Sequence, residues 1–299
     1  MRREIQPADP QVALRRWTQT TCPLHLWQYV LIGVFLAVQT AVAANLARRW
    51  SMVSTPAPGT PRVMGSYTAG CMQGALALPP EGPGFQSMRR ERRRFFGHPT
   101  LVQYVQHLGR LAAGRGWGVL NIGDMGQARG GPTPSGHQSH QNGLDVDIWF
   151  WLAPHAGALT AAERETFEAP SMLTSDRHAL DPRRWSAPHP HLLRAAAELP
   201  VVERIFVHPL IKQTLCGQFP GAAWLKKIRP WWGHDDHFHV RLRCPIGEAG
   251  CISQEPLPEG TGCDAALAWW FSDEARQPPK PTGPLEVRLP GGCQAILNK

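Results

Sequence analysis

Two stretches rich in histidine and aspartate constrain this chain more than any other feature. The first is Gly136-His137-Gln138-Ser139-His140-Gln141-Asn142-Gly143-Leu144-Asp145-Val146-Asp147. The second, about ninety residues later, is His234-Asp235-Asp236-His237-Phe238-His239. After Gly143 the run Leu144 to Trp151 is β-branched and aromatic, which favours a strand. Period-2 geometry puts Asp145, Asp147, Trp149 and Trp151 on one face, and Val146, Ile148 and Phe150 on the other. The Asn142-Gly143 turn signal lets His140 fold back over Asp147. In the second stretch His237, His239 and Arg241 share one strand face, while Phe238, Val240 and Leu242 share the other. Two such strands side by side would gather His140, Asp147 and His239. Two neutral imidazoles and a carboxylate suit a catalytic zinc whose fourth position is left to water. Zinc lowers the pKa of such a water to ~7. His237, beside the ligand set, is placed for proton transfer or for stabilising an oxyanion.

A lone histidine is most often a surface or satisfied core residue, and an Asp-x-Asp on a strand is often a solvated face. One cluster alone would carry little. Two clusters, each pairing histidine with aspartate, point to one site.

The longer strings are more specific than the ligand spacing. Ser139-His140-Gln141-x-Gly143-Leu144-Asp145-Val146-Asp147, with His237-x-His239-Val240-Arg241-Leu242-Arg243-Cys244-Pro245, closely resembles the penicillin-insensitive murein endopeptidases. These belong to the wider group of zinc peptidases that includes LytM-type, D-Ala-D-Ala-cleaving and hedgehog-like domains. The likeness extends to Gly65-Ser66-Tyr67 with Cys71, Arg93-Arg94-Phe95-Phe96-Gly97-His98-Pro99, Ile122-Gly123-Asp124-Met125-Gly126, Arg204-Ile205-Phe206-Val207 and Arg229-Pro230-Trp231. It covers about residues 60 to 298.

The resemblance implies hydrolysis of the D-alanyl to meso-diaminopimelate cross-bridges of peptidoglycan, by a metal rather than a serine nucleophile. Penicillin acylates such a serine, hence the family name. By position, His140, Asp147 and His239 match the zinc ligands, and His137 matches a further histidine that can reach the metal. His234 and His237 match the remaining histidines of the second motif, both candidates for catalysis. Some members carry an Asp-x-x-His pair suggested to hold a second metal. Here Asp176 falls in place, but the residue three on is Ala179 and the nearest histidine is His178, so that pair is incomplete.

Around the site, residues 1–44 have a signal-peptide layout: Arg2, Arg3, Arg15 and Arg16, then the apolar run from Tyr29 to Val38, then Ala41-Val42-Ala43-Ala44. The alternative is an uncleaved signal anchor. Either places the bulk of the chain outside the cytoplasm, in the periplasm, with no stable membrane insertion once the leader is removed. Residues 45–64, with Pro56, Pro58 and Pro61, read as a flexible lead-in, and 65–299 as the catalytic domain. The run Arg89-Arg90-Glu91-Arg92-Arg93-Arg94 reads either as an attractor of anionic polymer or, more commonly, as a solvated helix face. A net charge of +8 favours an acidic partner. No nucleic-acid motif accompanies it, which excludes nucleic acid in favour of peptidoglycan.

Leu101, Val105, Leu108 and Leu111 form a helical stripe ending near Gly114. Strands are expected at 118–122 and 201–207, and helices after the capping box Thr160-x-x-Glu163, at 191–199 and from Pro209 to Leu215. This order gives an α+β fold with a mainly antiparallel central sheet, flanked by helices and long loops. Trp224, Trp231 and Trp232 crowd the approach to His234, as core or cleft wall. His155, His178, His189, His191 and His208 read as ordinary surface or loop residues. Residues 277–284, with four prolines, read as an extended linker.

Cys22 precedes the expected cleavage site, which leaves six cysteines: an even count in an exported chain, with fifteen possible pairings. The resemblance implies Cys71–Cys293, Cys216–Cys263 and Cys244–Cys251. The expected function is therefore a zinc-dependent murein endopeptidase. Its rivals are a D-Ala-D-Ala carboxypeptidase or L,D-cleaving enzyme, and a non-catalytic zinc-stabilised wall-binding protein. Intact ligands together with His237 argue against the last.

Overall fold

A computed structural model describes residues 45–134, 138–276 and 288–299. The expected leader, His137 and the proline-rich 277–284 segment lie outside the described residues. Among the described residues no helix is long and apolar enough to cross a membrane.

The strands are β1 (Arg62–Gly65), β2 (Gly70–Gln73), β3 (Leu76–Ala77), β4 (Glu81–Gly82), β5 (Phe85–Ser87), β6 (Phe96–Gly97), β7 (Leu120–Ile122), β8 (Asp145–Trp149), β9 (Val202–Val207), β10 (Ile228–Pro230) and β11 (His237–Leu242). Seven of them form one sheet in the order β10-β9-β11-β8-β7-β5-β4. Its pairings are antiparallel except β10 with β9 and β5 with β7. The helices are α1 (within 45–52), α2 (Pro99–Gly114), α3 (Ala161–Thr166), α4 (Pro188–Glu198), α5 (Pro209–Gln218), α6 (Ala265–Ala268) and α7 (Gly291–Leu297). The fold is α+β with a mainly antiparallel sheet, as the order of elements implies.

The alternation in β8 and β11 decides which face is core. Val146, Ile148, Phe238, Val240 and Leu242 are buried in one cluster with Leu101, Val105 and Leu108 of α2 and Leu192, Leu193 and Ala196 of α4. Burying each such side chain contributes about 1.5–3 kcal/mol. With that face fixed against helices, the polar residues of both strands are confined to the opposite face. A one-residue slip of either strand would put aspartate into the core, so register is strongly specified.

The lead-in is not a free tether. The helix α1 places Trp50, 1% exposed, in a small core with Ala57, Cys71, Cys293 and Ile296. Arg129 ties the same corner together, donating from Nε to the Thr55 carbonyl and from Nη1 to those of Ile296 and Leu297. The prolines that suggest looseness instead lower the entropy the segment loses on ordering. The three disulfides are those the resemblance implies. Cys71–Cys293, 222 residues apart, closes almost the whole domain. Loop-closure entropy for that span is worth about 5 kcal/mol against the unfolded chain.

One histidine departs from the expected surface or loop role, and another caps a helix. His189 is 4% exposed, stacks on Trp185, and donates from Nε2 to the Phe150 carbonyl. His208 precedes α5, and its Nδ1 accepts from the Leu210 amide. Burial pushes His208 down to about 4. The folded protein therefore holds it neutral while the unfolded chain, near 6.5, takes up a proton. Stability present above pH 6.5 is lost as pH falls through about 4. Allowing for partial exposure, the contribution is about 2 kcal/mol. His208→Asn keeps a capping acceptor without the titration. Denaturant midpoints at pH 7 and pH 4.5 should differ less in this variant than in the wild type; an identical difference would assign the acid loss elsewhere.

Candidate metal centre

β11 lies antiparallel between β8 and β9, with His239 opposite Asp147, Arg241 opposite Asp145, and His237 opposite Trp149. Pairing across strands thus brings together residues that are about ninety positions apart. His140 arrives from the loop before β8 with a left-handed backbone, φ 66°. That conformation costs a non-glycine residue about 1–2 kcal/mol. The His140 amide donates to Asp145 Oδ2 at 3.0 Å, which holds the bend in place.

His140, Asp147 and His239 are all buried, and one ligand atom from each lies within 4.8 Å of the others. His140 Nε2 is 3.4 Å from Asp147 Oδ1, and His239 Nδ1 is 3.0 Å from the same oxygen. Adjacent ligands on a tetrahedral zinc stand ~3.3 Å apart, given bonds of ~2.0 Å. The donor set and its spacing therefore fit such an ion. His239 Nε2 lies 3.2 Å from Asp145 Oδ1, a charge contact rather than an aligned hydrogen bond, while Nδ1 faces Asp147. Burial lowers the basicity of His140, and the Asp147 carboxylate more than reverses it, for a net rise. Burial likewise opposes ionisation of Asp147, yet His140 and His237 hold it well below the usual carboxylate range.

The two remaining histidines of the second motif flank the ligand set. His237 Nδ1 donates to the Asp236 carboxylate, and its Nε2 stands 3.7 Å from Asp147 Oδ1. Burial would depress His237, but Asp147 and Asp236 outweigh it and raise its pKa. His234 has φ 55° and donates from Nδ1 to the Trp232 carbonyl at 2.8 Å. Burial, aided by His237 and His239, pushes His234 down to about 3. The rings of His234 and His237 are 4.8 Å apart. Of the three tryptophans expected near His234, Trp224 is core, whereas Trp231 and Trp232 join Trp269 and Trp270 in an aromatic wall. Phe206 bridges that wall to His239.

Other expected residues serve different ends. Asp235 turns away from the cluster to Ser171 and Arg177. Asp176 accepts from the Thr174 hydroxyl and the His178 amide in an exposed turn. Asp145 carries the structural load of the centre, a role the spacing alone did not assign. Its carboxylate, fully buried, accepts from Arg241 Nε at 2.8 Å and Nη2 at 3.1 Å, as well as from the His140 amide. The available signal was Arg241, charged and on the same face as His239. The sequence signals Asp236 only by its place immediately before His237.

The arginine run is not a helix face. It forms a single 3-10 turn, Arg90–Arg92, flanked by left-handed Arg89 and Arg93. Three of the five arginines have distinct contacts: Arg90 stacks on Phe95, Arg94 bonds Asp124 at 2.8 Å, and Arg89 covers the Trp149 ring.

A family model described as penicillin-insensitive murein endopeptidase matches residues 63–298. A Klebsiella pneumoniae protein of that name is 41% identical over 270 residues, covering 88% of this chain and 96% of the relative. A Haemophilus influenzae protein of the same name is 42% identical over 261 residues, covering 83% and 88%. A Salmonella arizonae relative is 40% identical over 265 residues, covering 88% and 96%. With the geometry of the centre, these matches show that the chain belongs to the penicillin-insensitive murein endopeptidase family.

Proposed function

We propose that this protein is a periplasmic, zinc-dependent peptidase that hydrolyses the D-alanyl–meso-diaminopimelate cross-links of peptidoglycan. The observation that carries this reading is the buried His140-Asp147-His239 cluster, with two further histidines beside it. His140, Asp147 and His239 would hold the zinc. His137, which precedes them in the same motif, is a further candidate ligand. When bound, the ion acidifies water and polarises the scissile carbonyl.

The chain's own residues then divide the proton work. Asp236 fixes the His237 ring through Nδ1, so Nε2 points to the Asp147 side. A protonated His237 donates from Nε2, first to the developing oxyanion and then to the leaving amine. His234, with Nδ1–H committed to the Trp232 carbonyl and held neutral, presents Nε2 as an acceptor. It is suited to orient the attacking water. No step needs a serine nucleophile, which accounts for indifference to penicillin.

Digestion of purified cross-linked muropeptide dimers, followed by mass spectrometry, tests this. Conversion to monomers that chelation stops, zinc restores and penicillin spares is the expected result. Loss of a terminal D-alanine alone would reassign the enzyme as a carboxypeptidase. No cleavage by protein carrying stoichiometric zinc would leave a wall-binding role.

A further inference from the structure

Beside Asp147 and His237 the protein surface opens a cleft of about 330 Å3 that Arg89, Arg92 and Trp149 also line. Four acidic groups also line it: Asp124, Asp147 and Asp236 have counterparts of their own, and Glu168 is exposed. Arg94 holds Asp124 at 2.8 Å, His140 and His239 flank Asp147, and His237 bonds Asp236. Arg92 also bonds Asp124, from Nη1 at 3.4 Å, and its side chain is 44% exposed. The Arg89 side chain donates from Nη2 to the Phe167 carbonyl and lies 5.3 Å from the Trp149 ring centre. A guanidinium has five donors in a planar fork matched to a carboxylate.

The backbone that presents these two arginines is held at a cost. Arg89 and Arg93 bracket the turn at φ 51° and 55°. Both carboxylate oxygens of Glu165, just beyond the first turn of α3, accept from the turn, one from the Arg90 amide and one from the Glu91 amide. The Arg89 amide donates to the Arg164 carbonyl. Strained residues persist where surrounding structure over-determines them, and they cluster at functional sites.

The geometry points to Arg89 and Arg92 as a carboxylate-recognition subsite for the leaving-group half of the substrate. This assignment rests on the peptidase reading above. In a D-alanyl–meso-diaminopimelate bond, the carbon attached to the scissile nitrogen also bears a carboxylate. A substrate held with its scissile bond at the metal ligands must therefore place that anion within a few ångströms of them. The cleft that Asp147 and His237 line is also lined by the guanidinium-bearing Arg89 and Arg92. An uncharged carboxamide at the same carbon would lose the fork-to-carboxylate pairing, so the enzyme discriminates between free and amidated cross-links.

The test uses matched muropeptides whose diaminopimelate carboxyl is free or amidated, with the zinc-loaded full chain, Arg92→Gln, and Arg89→Lys. Calorimetric binding of the monomeric products and cleavage of the dimers are both measured. Wild type should prefer the free carboxylate by about 10- to 100-fold in binding and in kcat/KM, the value of one or two charge-assisted hydrogen bonds. Arg92→Gln should collapse that ratio to near 1 through the carboxylate form alone, with zinc content unchanged. Arg89→Lys, which keeps the charge but loses the fork, should retain part of it. Equal binding of the two products by wild type, or an equal loss on both by Arg92→Gln, overturns the subsite. A binding preference without turnover would keep the subsite and sink the peptidase; turnover without preference would do the reverse.

Discussion

Asp145→Asn should lower the stability of the zinc-free protein by about 3–5 kcal/mol and weaken zinc binding by about 10- to 100-fold. The first effect follows from burial. Asp145 is fully enclosed, and its partner Arg241 is 4% exposed, so the substitution leaves a guanidinium charge without a counter-ion away from water. Three donors converge on the carboxylate, two from Arg241 and one from the His140 amide. An asparagine offers one oxygen and turns an N–H2 toward the others. Arg241 stacking over Tyr67 at 4.1 Å does not replace the lost charge. The second effect follows because Asp145 holds the left-handed bend at His140 and its charge stands beside the His239 ring. Denaturant unfolding of the chelated protein and a competitive zinc titration separate the two. A variant with both partners replaced, Asp145→Leu with Arg241→Met, should recover part of the stability but not the zinc affinity. Stability within 1 kcal/mol of wild type for Asp145→Asn would remove Asp145 from this role.

The contrast between Asp145 and Asp147 shows what the residue pattern could and could not convey. Their spacing of two fixes a common face, and the aliphatic residues between them fix which face is dry. That much is legible because side-chain period and burial are local properties. The partner across the strand is not local. His239 meets Asp147, and Arg241 meets Asp145, because β11 pairs antiparallel to β8 in one register. Chemistry suggested that the strands should meet; nothing in either stretch stated the direction. The arginine run failed for the same reason in a stronger form. Five arginines in six residues look like a solvated helix, yet their turn is set by Glu165, some seventy residues away, and by Phe95 and Asp124. The segment at 45–64 misled differently. Its prolines signal a lack of regular structure, whereas order there comes from Trp50 packing beside a disulfide whose other half is Cys293.

His237→Ala should lower kcat by about 10²- to 10⁴-fold, the usual contribution of a positioned acid or base, with zinc content intact. His237 differs from its neighbour His239 by the face each ring turns to the cluster. His239 puts Nδ1 3.0 Å from Asp147 Oδ1, a ligand-to-ligand spacing, whereas the His237 Nε2 stands off at 3.7 Å and its other nitrogen is committed to Asp236. Loss of His239 should therefore empty the site of zinc, and loss of His237 should leave it filled but slow. Asp236 supplies an internal control. It is partly exposed and bonds the His237 ring, so Asp236→Asn should cost less, about 10- to 100-fold, by loosening the ring and its tautomer. A double variant should then be no worse than His237→Ala alone, because the carboxylate acts through the imidazole. Zinc analysis beside steady-state kinetics on muropeptide dimers reads all of these. Zinc lost together with activity in His237→Ala would make His237 a ligand, and additive losses in the double variant would give Asp236 a separate part in the reaction.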